Sequence, residues 1–468
     1  MNIIFGTDGW RALLDSEIND DSVSVVAQAF ADYLNSNFNN PNCAVGFDGR
    51  KNSKNFADLF SKVLSGNNIK VTLSIGITPT PVVSYFVKHN NHSAGVMITA
   101  SHNPAEYNGI KFKANYGGPF FTEETHKVEK LLYKSEIKQS KHNIVLEDFT
   151  LPYKRQIYRM IDFASLDKSD LSVLIDSMGG AGQTFIQDLL LETDIEVDTI
   201  YGEADENFSG RNAEPIEKNL NELSDILRNS EYSLGLATDG DADRCGVILD
   251  NGDWLSAQET ILILSDYIKN IRQIKGSIVK TSSVTNKLNQ FFENDECKVY
   301  DVQVGFKYIC EKMIQEDIAF GGEESGGFGY KGHIPERDGI LTSLLLIEML
   351  SKSGYKKLSD YVKEKRKIFG EVFYDRIDHP YHKSDRNELL PNIFSRHLSK
   401  IGQFNVESVH EFYSSRNVIN GLKFNLVNGC WLLMRSSETE PLVRIYAEGN
   451  STAEVKLILS SGMNLLDK

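Results

Sequence analysis

A short run of apolar and β-branched residues, then a glycine or aspartate turn, then a helical pattern recurs along most of the chain. The clearest runs are Cys43–Asp48, Leu171–Asp176, Leu234–Thr238 and Ser277–Lys280. Strands that alternate with helices in this way predict an α/β protein with mixed, mainly parallel sheets. In such sheets, the loops that follow the carboxyl ends of strands bind ligands.

The pattern changes after Phe369. Predicted strands Gly370–Arg376 and Cys430–Arg435 mix there with predicted helices Asp385–Lys400 and Ala453–Leu459. This mixture is typical of a separate α+β unit. The sequence therefore predicts three similar α/β domains and a C-terminal α+β domain. Their predicted bounds are 1–150, 151–253, 254–367 and 368–468.

Composition and net charge limit the kinds of molecule that the protein is expected to bind. The chain has 468 residues and a net charge of −15, which argues against binding to nucleic acid or to an anionic membrane surface. An anionic ligand would need positive charge gathered locally. The amino terminus has no signal-peptide pattern, no apolar run has the length of a spanning helix, and five scattered cysteines show no CxxC spacing. We expect a cytoplasmic protein with reduced thiols.

The segment Asp239-Gly240-Asp241-Ala242-Asp243-Arg244 carries the sharpest local signal. Three carboxylates at alternate positions after a strand can converge on one hard divalent cation. An EF-hand loop is disfavoured because Arg244 and Asp250 stand where that loop needs glycine and glutamate. A solvated acidic turn is the other alternative, although charges this close would repel one another without a cation among them. The arginine after the carboxylates suggests a phosphate beside the metal.

A second segment, Met97–Pro104, is an apolar strand followed by a turn that presents Ser101 and His102. Ser101 is a candidate nucleophile. A turn in which the side chains hydrogen-bond the backbone is an equal alternative, and no G-x-S-x-G elbow is present. Lys111 follows on a predicted strand, where it is either a surface lysine or a buried acid/base.

Two further loops have ligand-binding chemistry. Gly321–Gly327 combines glycines with Glu323, Glu324 and Ser325, and carboxylates that accept hydroxyl protons suit a sugar or polyol. A flexible glycine turn is an equal alternative. Arg435–Pro441 combines an arginine, hydroxyls and turn amides, which fit a phosphate, with a solvated amphipathic turn as the alternative.

In this order, the segments resemble the α-D-phosphohexomutase superfamily of the phosphoglucomutase/phosphomannomutase type. The matching segments are Phe5–Arg11, Thr99–Pro104, Asp239–Arg244, Gly322–Gly326 and Arg435–Pro441. The resemblance implies three α/β domains of similar topology and a different C-terminal domain around a central cleft. It implies an isomerase that interconverts hexose 1-phosphate and hexose 6-phosphate through a phosphoserine and a bisphosphate intermediate.

The resemblance also implies a role for each site residue. The implied catalytic residues are Ser101 as phosphoserine, Lys111 as general acid/base, Arg244 and Arg11. The implied Mg²⁺ ligands are a phosphate oxygen on Ser101, Asp239, Asp241 and Asp243. The implied substrate ligands are Glu323, Ser325, Arg435, Ser437 and Thr439. A hexose 1,6-bisphosphate is the implied activator. We expect a hexose phosphate as ligand, no nucleic-acid or membrane partner, and a monomer or homodimer.

Some positions depart from the family pattern. Glu438 stands where glycine or asparagine is common, and Phe306 stands where some phosphomannomutases place a histidine. The sugar loop resembles the phosphoglucomutase version, which favours glucose 1-phosphate with mannose also accepted. The alternatives are a phosphoglucosamine mutase, a metal-dependent phosphatase or a non-catalytic sugar-phosphate-binding homologue. The last would have lost Ser101, Lys111 or a metal aspartate, and all of these are present.

Overall fold

The structure, a computed structural model, describes residues 3–6, 9–382, 385–414, 417–436 and 441–466. The chain forms two compact units. The first contains residues up to 277 together with 305–365, and the second contains 278–304 together with residues from 366 onward. Among the described residues, no helix is both long enough and apolar enough to cross a bilayer.

The first unit opens with a six-stranded sheet in the order β1-β5-β4-β2-β3-β6. Its strands are β1 (Trp10–Leu13), β2 (Asn42–Phe47), β3 (Lys70–Ser74), β4 (Ala94–Ile98), β5 (Tyr107–Ala114) and β6 (Ile144–Glu147). Its helices are α1 (Asp20–Asn37), α2 (Ser53–Gly66), α3 (Thr80–His89) and α4 (Thr122–Leu131). Strands β4, β2, β3 and β6 run parallel, and β5 is antiparallel to β4 and to β1. The sheet is mixed and mainly parallel, as predicted.

An aromatic core fixes β5 in this sheet. The rings of Phe30 and Phe112 stack with centroids 4.2 Å apart, and Phe60 lies 6.0 Å from Phe30. Successive residues of a strand point to opposite faces. Phe112 therefore anchors one face of β5, while its neighbour Lys111 projects from the other face.

The second sheet has the order β11-β10-β9-β7-β8. Its strands are β7 (Ser172–Asp176), β8 (Glu196–Ile200), β9 (Leu234–Thr238), β10 (Cys245–Leu249) and β11 (Trp254–Leu255). The helices of this region are α5 (Thr150–Met160), α6 (Phe163–Leu166), α7 (Phe185–Leu190), α8 (Asn221–Arg228) and α9 (Ala257–Asp266). Strands β10-β9-β7-β8 repeat the order and directions of β5-β4-β2-β3. The predicted similarity of the α/β domains is confirmed here.

Elements of both units follow along the chain. They are β12 (Ser277–Thr281), α10 (Lys287–Phe292), β13 (Val299–Val302), α11 (Phe306–Gln315), β14 (Ile318–Gly322), β15 (Phe328–Tyr330), α12 (Gly339–Ser353) and α13 (Leu358–Phe369). In the first unit β14 and β15 pair antiparallel, and α12 begins at the cap Asp338, whose side chain accepts from Leu341 N at 2.8 Å. In the second unit β12 and β13 pair in parallel.

The C-terminal elements form an antiparallel sheet in the order β16-β21-β20-β19-β18-β17. They are β16 (Phe373–Pro380), α14 (Arg386–Ser395), β17 (Lys400–Ile401), β18 (Phe404–Tyr413), β19 (Ile419–Leu426), β20 (Trp431–Ser436), β21 (Leu442–Gly449) and α15 (Thr452–Met463). The predicted α+β unit is confirmed. The predicted helix over 385–400 is too long, because the helix ends at Ser395 and Lys400 already begins β17. The domain bounds at 150, 253 and 367 remain predictions.

Candidate active site

Three loops of the first unit occupy the same place in their sheets. Residues 99–106 connect β4 to β5, residues 239–244 connect β9 to β10, and residues 323–327 connect β14 to β15. Each loop follows a strand and leads into its antiparallel neighbour. Backbone hydrogen bonds tie two of these loops to neighbouring elements: Thr80 N, at the start of α3, donates to Asp241 O, and Cys245 N, at the start of β10, donates to Gly326 O, both at 2.9 Å.

The middle loop also approaches the serine loop closely. A Cβ atom at Gly240 would lie only 2.4 Å from the carbonyl oxygen of Ser101. A side chain at this position would therefore push the two loops apart. The glycine between the first two aspartates is therefore required by this close contact.

The three predicted metal ligands are brought together. Asp239, Asp241 and Asp243 are fully buried, and one carboxylate oxygen from each lies within 4.8 Å of the others. In the described structure, neither Asp241 Oδ1 nor Asp243 Oδ1 accepts a hydrogen bond. Buried acceptors without donors are costly, and oxygens of this kind are what Mg²⁺ binds. The cluster therefore fits a divalent cation.

The surrounding charges shift the pKa values of two of these carboxylates in opposite directions. Burial, followed by repulsion from Asp243 and Asp241, raises the pKa of Asp239 well above its usual range. Burial also tends to raise the pKa of Asp241, but the Lys111 ammonium outweighs it and holds that pKa below the usual range. A buried carboxylate cluster of this kind stabilises a cation that neutralises it.

Ser101 lies against this cluster. Its Oγ donates to Asp239 Oδ2 at 3.1 Å, and its backbone has φ +54°, which non-glycine residues rarely adopt. Its backbone N donates to Thr99 Oγ1 at 2.8 Å. Such strained residues occur where a side chain must point at a reacting group. Ser101 and Asp239 are thus placed together as the resemblance implies.

Arg50 holds the serine loop in place, and sequence reasoning missed this role. Its guanidinium donates to the carbonyl oxygens of Ser101 at 2.5 Å, Asn103 at 2.6 Å, Pro104 at 2.8 Å and Tyr107 at 3.0 Å. Its Nε lies 3.3 Å from Asp48 Oδ2. The available signal was the Asp48-Gly49-Arg50 segment, which ends a buried strand with a charged turn.

Lys111 is fully buried, so it is not a surface lysine. Its Nζ lies 2.8 Å from Asp241 Oδ2 and 3.0 Å from Asp243 Oδ2. Both contacts use the oxygens opposite the free Oδ1 atoms. Lys111 therefore orients two carboxylates while its ammonium stays beside the cluster that Ser101 contacts.

Further cations surround the serine loop. Arg244 Nε lies 3.9 Å from both Asp239 Oδ2 and Asp243 Oδ1, and Arg11 Nη1 donates to Asn103 Oδ1 at 3.0 Å. Desolvation, with Arg244 and Arg11 the nearest repelling cations, lowers the pKa of His102 well below its usual range. The imidazole is therefore uncharged at neutral pH, and the positive charge resides on the arginines and Lys111.

The candidate sugar loop is buried beside the aspartates. Burial, repulsion from Glu324 and attraction to Arg337 together give a raised pKa of about 7 for Glu323. Arg337 Nη1 lies 3.6 Å from Glu323 Oε2. In the region that the structure describes, Ser325 Oγ is buried without a hydrogen-bond partner. The two predicted sugar ligands therefore offer one carboxyl and one unsatisfied hydroxyl.

The predicted phosphate loop belongs to the second unit. Arg435 is buried near the end of β20, opposite Arg444 of β21. Ser437, Glu438 and Thr439 lie outside the described residues. The predicted roles of Arg435, Ser437 and Thr439 remain predictions.

Family models match the chain in order. Those of the phosphoglucomutase/phosphomannomutase α/β/α domains I, II and III match residues 2–139, 152–252 and 256–369, and that of the C-terminal domain matches residues 394–461. Three α/β/α domains, a C-terminal domain with an antiparallel sheet and a site of this kind define a phosphohexomutase, an isomerase of the intramolecular phosphotransferase class. The chain belongs to the phosphoglucomutase/phosphomannomutase family.

The relatives that resemble this chain are named for different sugar phosphates. A phosphoglucomutase/phosphomannomutase of Thermococcus kodakarensis is 29% identical, with 100% of this chain and 99% of the relative covered. A phosphoglucosamine/phosphogalactosamine mutase of Sulfurisphaera tokodaii is 28% identical, with 96% and 95% covered.

Solved structures share the fold. A candidate phosphomannomutase of Thermus thermophilus is 33% identical with a TM-score of 0.86, and 100% of each chain is covered. N-acetylphosphoglucosamine mutase of Aspergillus fumigatus, solved with GlcNAc-6P and magnesium, is 15% identical with a TM-score of 0.60, covering 99% and 96%.

Proposed function

We propose that the protein interconverts hexose 1-phosphate and hexose 6-phosphate through a phosphoserine at Ser101 and a hexose bisphosphate intermediate. The observation that carries this proposal is the 3.1 Å contact between Ser101 Oγ and Asp239 Oδ2, within a buried carboxylate cluster. Phosphoryl transfer depends mainly on positioning and charge neutralisation. A hydroxyl beside a divalent-cation site meets both needs.

Mg²⁺ fits the proposed metal site. Asp239, Asp241, Asp243 and a phosphate oxygen on Ser101 would hold it. The Oδ1 atoms of Asp241 and Asp243, which accept no hydrogen bond in the described residues, support this assignment. When bound, the ion supplies charge neutralisation for the phosphoryl group. The magnesium in the Aspergillus fumigatus structure is consistent with the same choice of metal.

Side chains of the protein would provide proton transfer, further charge neutralisation and substrate binding. Lys111 would hold or release a proton at Nζ near the sugar hydroxyl, and Arg244 and Arg11 would offset the phosphate charge. Glu323 and Ser325 would bind sugar hydroxyls. Arg435, Ser437 and Thr439 would hold the phosphate that does not react. A hexose 1,6-bisphosphate would keep Ser101 phosphorylated and so act as the activator.

We propose the cytoplasm as the compartment. All five cysteines are buried free thiols. A reducing compartment keeps such thiols from oxidation.

Ser101→Ala tests the proposed mechanism. We expect turnover of hexose 1-phosphate to fall below detection, because the hydroxyl that stands at Asp239 to carry the phosphoryl group is then absent. Mutase activity is measured with a catalytic amount of bisphosphate on the 1-phosphates of glucose, mannose and glucosamine, and we expect kcat/KM to be highest for glucose. Mass spectrometry should detect one phosphoryl group on the wild-type chain and none on the variant.

Ser61→Ala is the matched control, because Ser61 is a fully buried serine of α2 outside the three loops. Near-normal mutase activity in Ser101→Ala would exclude the phosphoserine mechanism. Stoichiometric release of inorganic phosphate would indicate a phosphatase instead. A glucosamine preference would overturn the proposed sugar.

A further inference from the structure

Arg337 joins the metal loop to the sugar loop. It lies just before α12 and is 5% exposed. Its Nη2 lies 2.9 Å from Asp243 Oδ2, and its Nη1 lies 3.6 Å from Glu323 Oε2. One guanidinium therefore faces a carboxylate of each loop.

We infer that Arg337 is a positioning residue that sets the orientation of both Asp243 and Glu323. This inference rests on the proposed function, because it assigns a task to the same two carboxylates. Asp243 Oδ2 contacts Lys111 and Arg337, and Asp243 Oδ1 is left without a hydrogen bond among the described residues. With one oxygen fixed by two cations, the other is held ready for a metal ion.

The Arg337 side chain is also positioned by residues on the side away from Asp243 and Glu323. Its Nε lies 3.8 Å from Glu336 Oε1, and Glu336 Oε2 pairs with Lys113 Nζ at 2.6 Å, both side chains being fully buried. The Arg337 side chain also occupies the space over Gly327, where a Cβ would lie 2.4 Å from Arg337 Cδ. The position of the guanidinium is therefore set by packing as well as by charge.

Only arginine suits this task. Its planar fork carries separate donors that reach two carboxylates at once, whereas lysine presents a single ammonium. Arg337 makes the two contacts from two different nitrogens, whereas lysine would have to make both from one; we expect it to keep the shorter contact to Asp243 and to lose the one to Glu323. An arginine-to-lysine substitution therefore distinguishes two roles of Arg337. If it only supplied positive charge, lysine would replace it; if it orients both carboxylates, lysine would not.

The test compares Arg337→Met and Arg337→Lys with the wild-type enzyme. Mg²⁺ affinity is measured calorimetrically without sugar, and kcat and KM are measured for glucose 1-phosphate at saturating Mg²⁺. We expect Arg337→Met to weaken Mg²⁺ binding and to raise KM, each about 10-fold, as for partners that orient metal ligands. Arg337→Lys should recover Mg²⁺ affinity to within about threefold while KM stays raised.

A double-mutant cycle isolates the effect on Glu323. If Arg337 acts on the sugar through Glu323, then Arg337→Met should raise KM no further in a Glu323→Gln background. Arg272→Met is the control, because Arg272 pairs with buried Glu348 at 3.6 Å away from the three loops and should leave both readouts unchanged.

Each outcome decides one question. Unchanged Mg²⁺ affinity in Arg337→Met, or fully additive effects on KM, would overturn the inference. If Arg337→Met does not fold, Arg337→Lys decides: wild-type KM would overturn the inference. An unchanged KM in Glu323→Gln alone would instead overturn the sugar role within the proposed function, while the Mg²⁺ titration still tests Arg337 against Asp243.

Discussion

At the scale of single residues, the site depends on side chains that offset one another's charge. Lys111 pairs with Asp241 and Asp243, and Arg337 faces both Asp243 and Glu323. Glu323 is the member whose ionisation falls near neutral pH, with a raised pKa of about 7 that burial causes first. Its protonation state therefore changes around neutral pH.

Glu323→Gln should remove one part of the pH dependence of stability. Because the folded pKa of about 7 lies above the ordinary value of 4.5, the folded state holds the proton more tightly. The stabilisation is complete below the unfolded pKa and is lost as pH rises through the folded pKa. As pH rises from below 4.5 to above about 7, the free energy of unfolding of the wild-type protein should therefore decrease. We expect this decrease to exceed that of Glu323→Gln by up to about 3 kcal/mol.

Urea unfolding with a chelator present, at pH values of about 5 and about 8, measures the difference. Glu206→Gln, at an exposed glutamate of the first unit, is the control and should retain the wild-type fall. Parallel pH curves for wild type and Glu323→Gln would show that burial of Glu323 does not control this dependence.

The roles of single residues could be predicted from the sequence where those residues belong to a recognisable motif. The three aspartates, Ser101 and Lys111 were found because their types and spacing carry a chemical meaning. The roles of Arg50 and Arg337 were not predicted, because the groups that they position lie on loops distant in sequence. The Asp48-Gly49-Arg50 segment marks a charged turn but not the loop that Arg50 holds. Whether Lys111 is buried could not be decided either, since a lysine between apolar residues fits both a surface strand and a buried one.

At the scale of secondary-structure elements, strands of the second unit share a charge cluster in which two buried lysines face one partly exposed aspartate. Asp301 of β13 accepts from Lys280 of β12 and from Lys423 of β19, both at 2.9 Å. Burial tends to raise the pKa of Asp301, but the two ammonium groups outweigh it and bring the pKa to about 2. One carboxylate thus connects residues 278–304 to the C-terminal sheet within this unit. Alternation of strands and helices predicted these elements, but not which charges they would share.

Asp301→Asn should destabilise the second unit. Removing the carboxylate leaves two buried ammonium groups without their anionic partner. Because Asp301 is itself partly exposed, we expect a cost of about 1 to 3 kcal/mol. The stabilisation from Asp301 is present above its unfolded pKa and is lost as pH falls toward about 2. Denaturant unfolding followed by the fluorescence of buried Trp431, whose ring lies 4.9 Å from Lys423 Nζ, measures the loss.

Asp295→Asn is the matched control, since Asp295 is an exposed aspartate of the same chain segment. Equal stability of the two variants would show that the Asp301 pairs contribute nothing net. Adding Lys423→Met to Asp301→Asn should recover part of the loss, because one unpaired ammonium is then absent.

At the scale of the whole molecule, charge and chemistry are distributed unevenly. The net charge of −15 is compatible with an anionic ligand because Arg11, Lys111, Arg244 and Arg337 gather around the serine and metal loops. All three metal aspartates belong to the first unit, and Arg435 belongs to the second. A ligand that binds only the aspartates should therefore stabilise one unit directly.

Mg²⁺ should raise the unfolding midpoint of the first unit alone. At about 100 times its dissociation constant, a ligand that binds only the folded state adds about 2.7 kcal/mol. Trp10 and Trp254 report on the first unit and Trp431 on the second. A variant with Trp431→Phe should show the shift, and a variant with both Trp10→Phe and Trp254→Phe should not.

Asp239→Asn combined with Asp241→Asn serves as the control and should abolish the shift in the first unit. Equal shifts in both tryptophan variants would mean that the two units unfold as one. No shift in either would exclude metal binding at the aspartates.

The second unit is discontinuous in sequence, and this has a consequence for biosynthesis. Residues 278–304 leave the ribosome before the segment from 366 onward that completes their unit. Until then, Asp301 lacks its second partner Lys423, and Val304 lacks the Trp431, Leu433 and Tyr446 cluster that it later packs against. The nascent chain therefore carries an incomplete apolar surface through the synthesis of α11, α12 and α13. In this interval chaperone binding would protect it best.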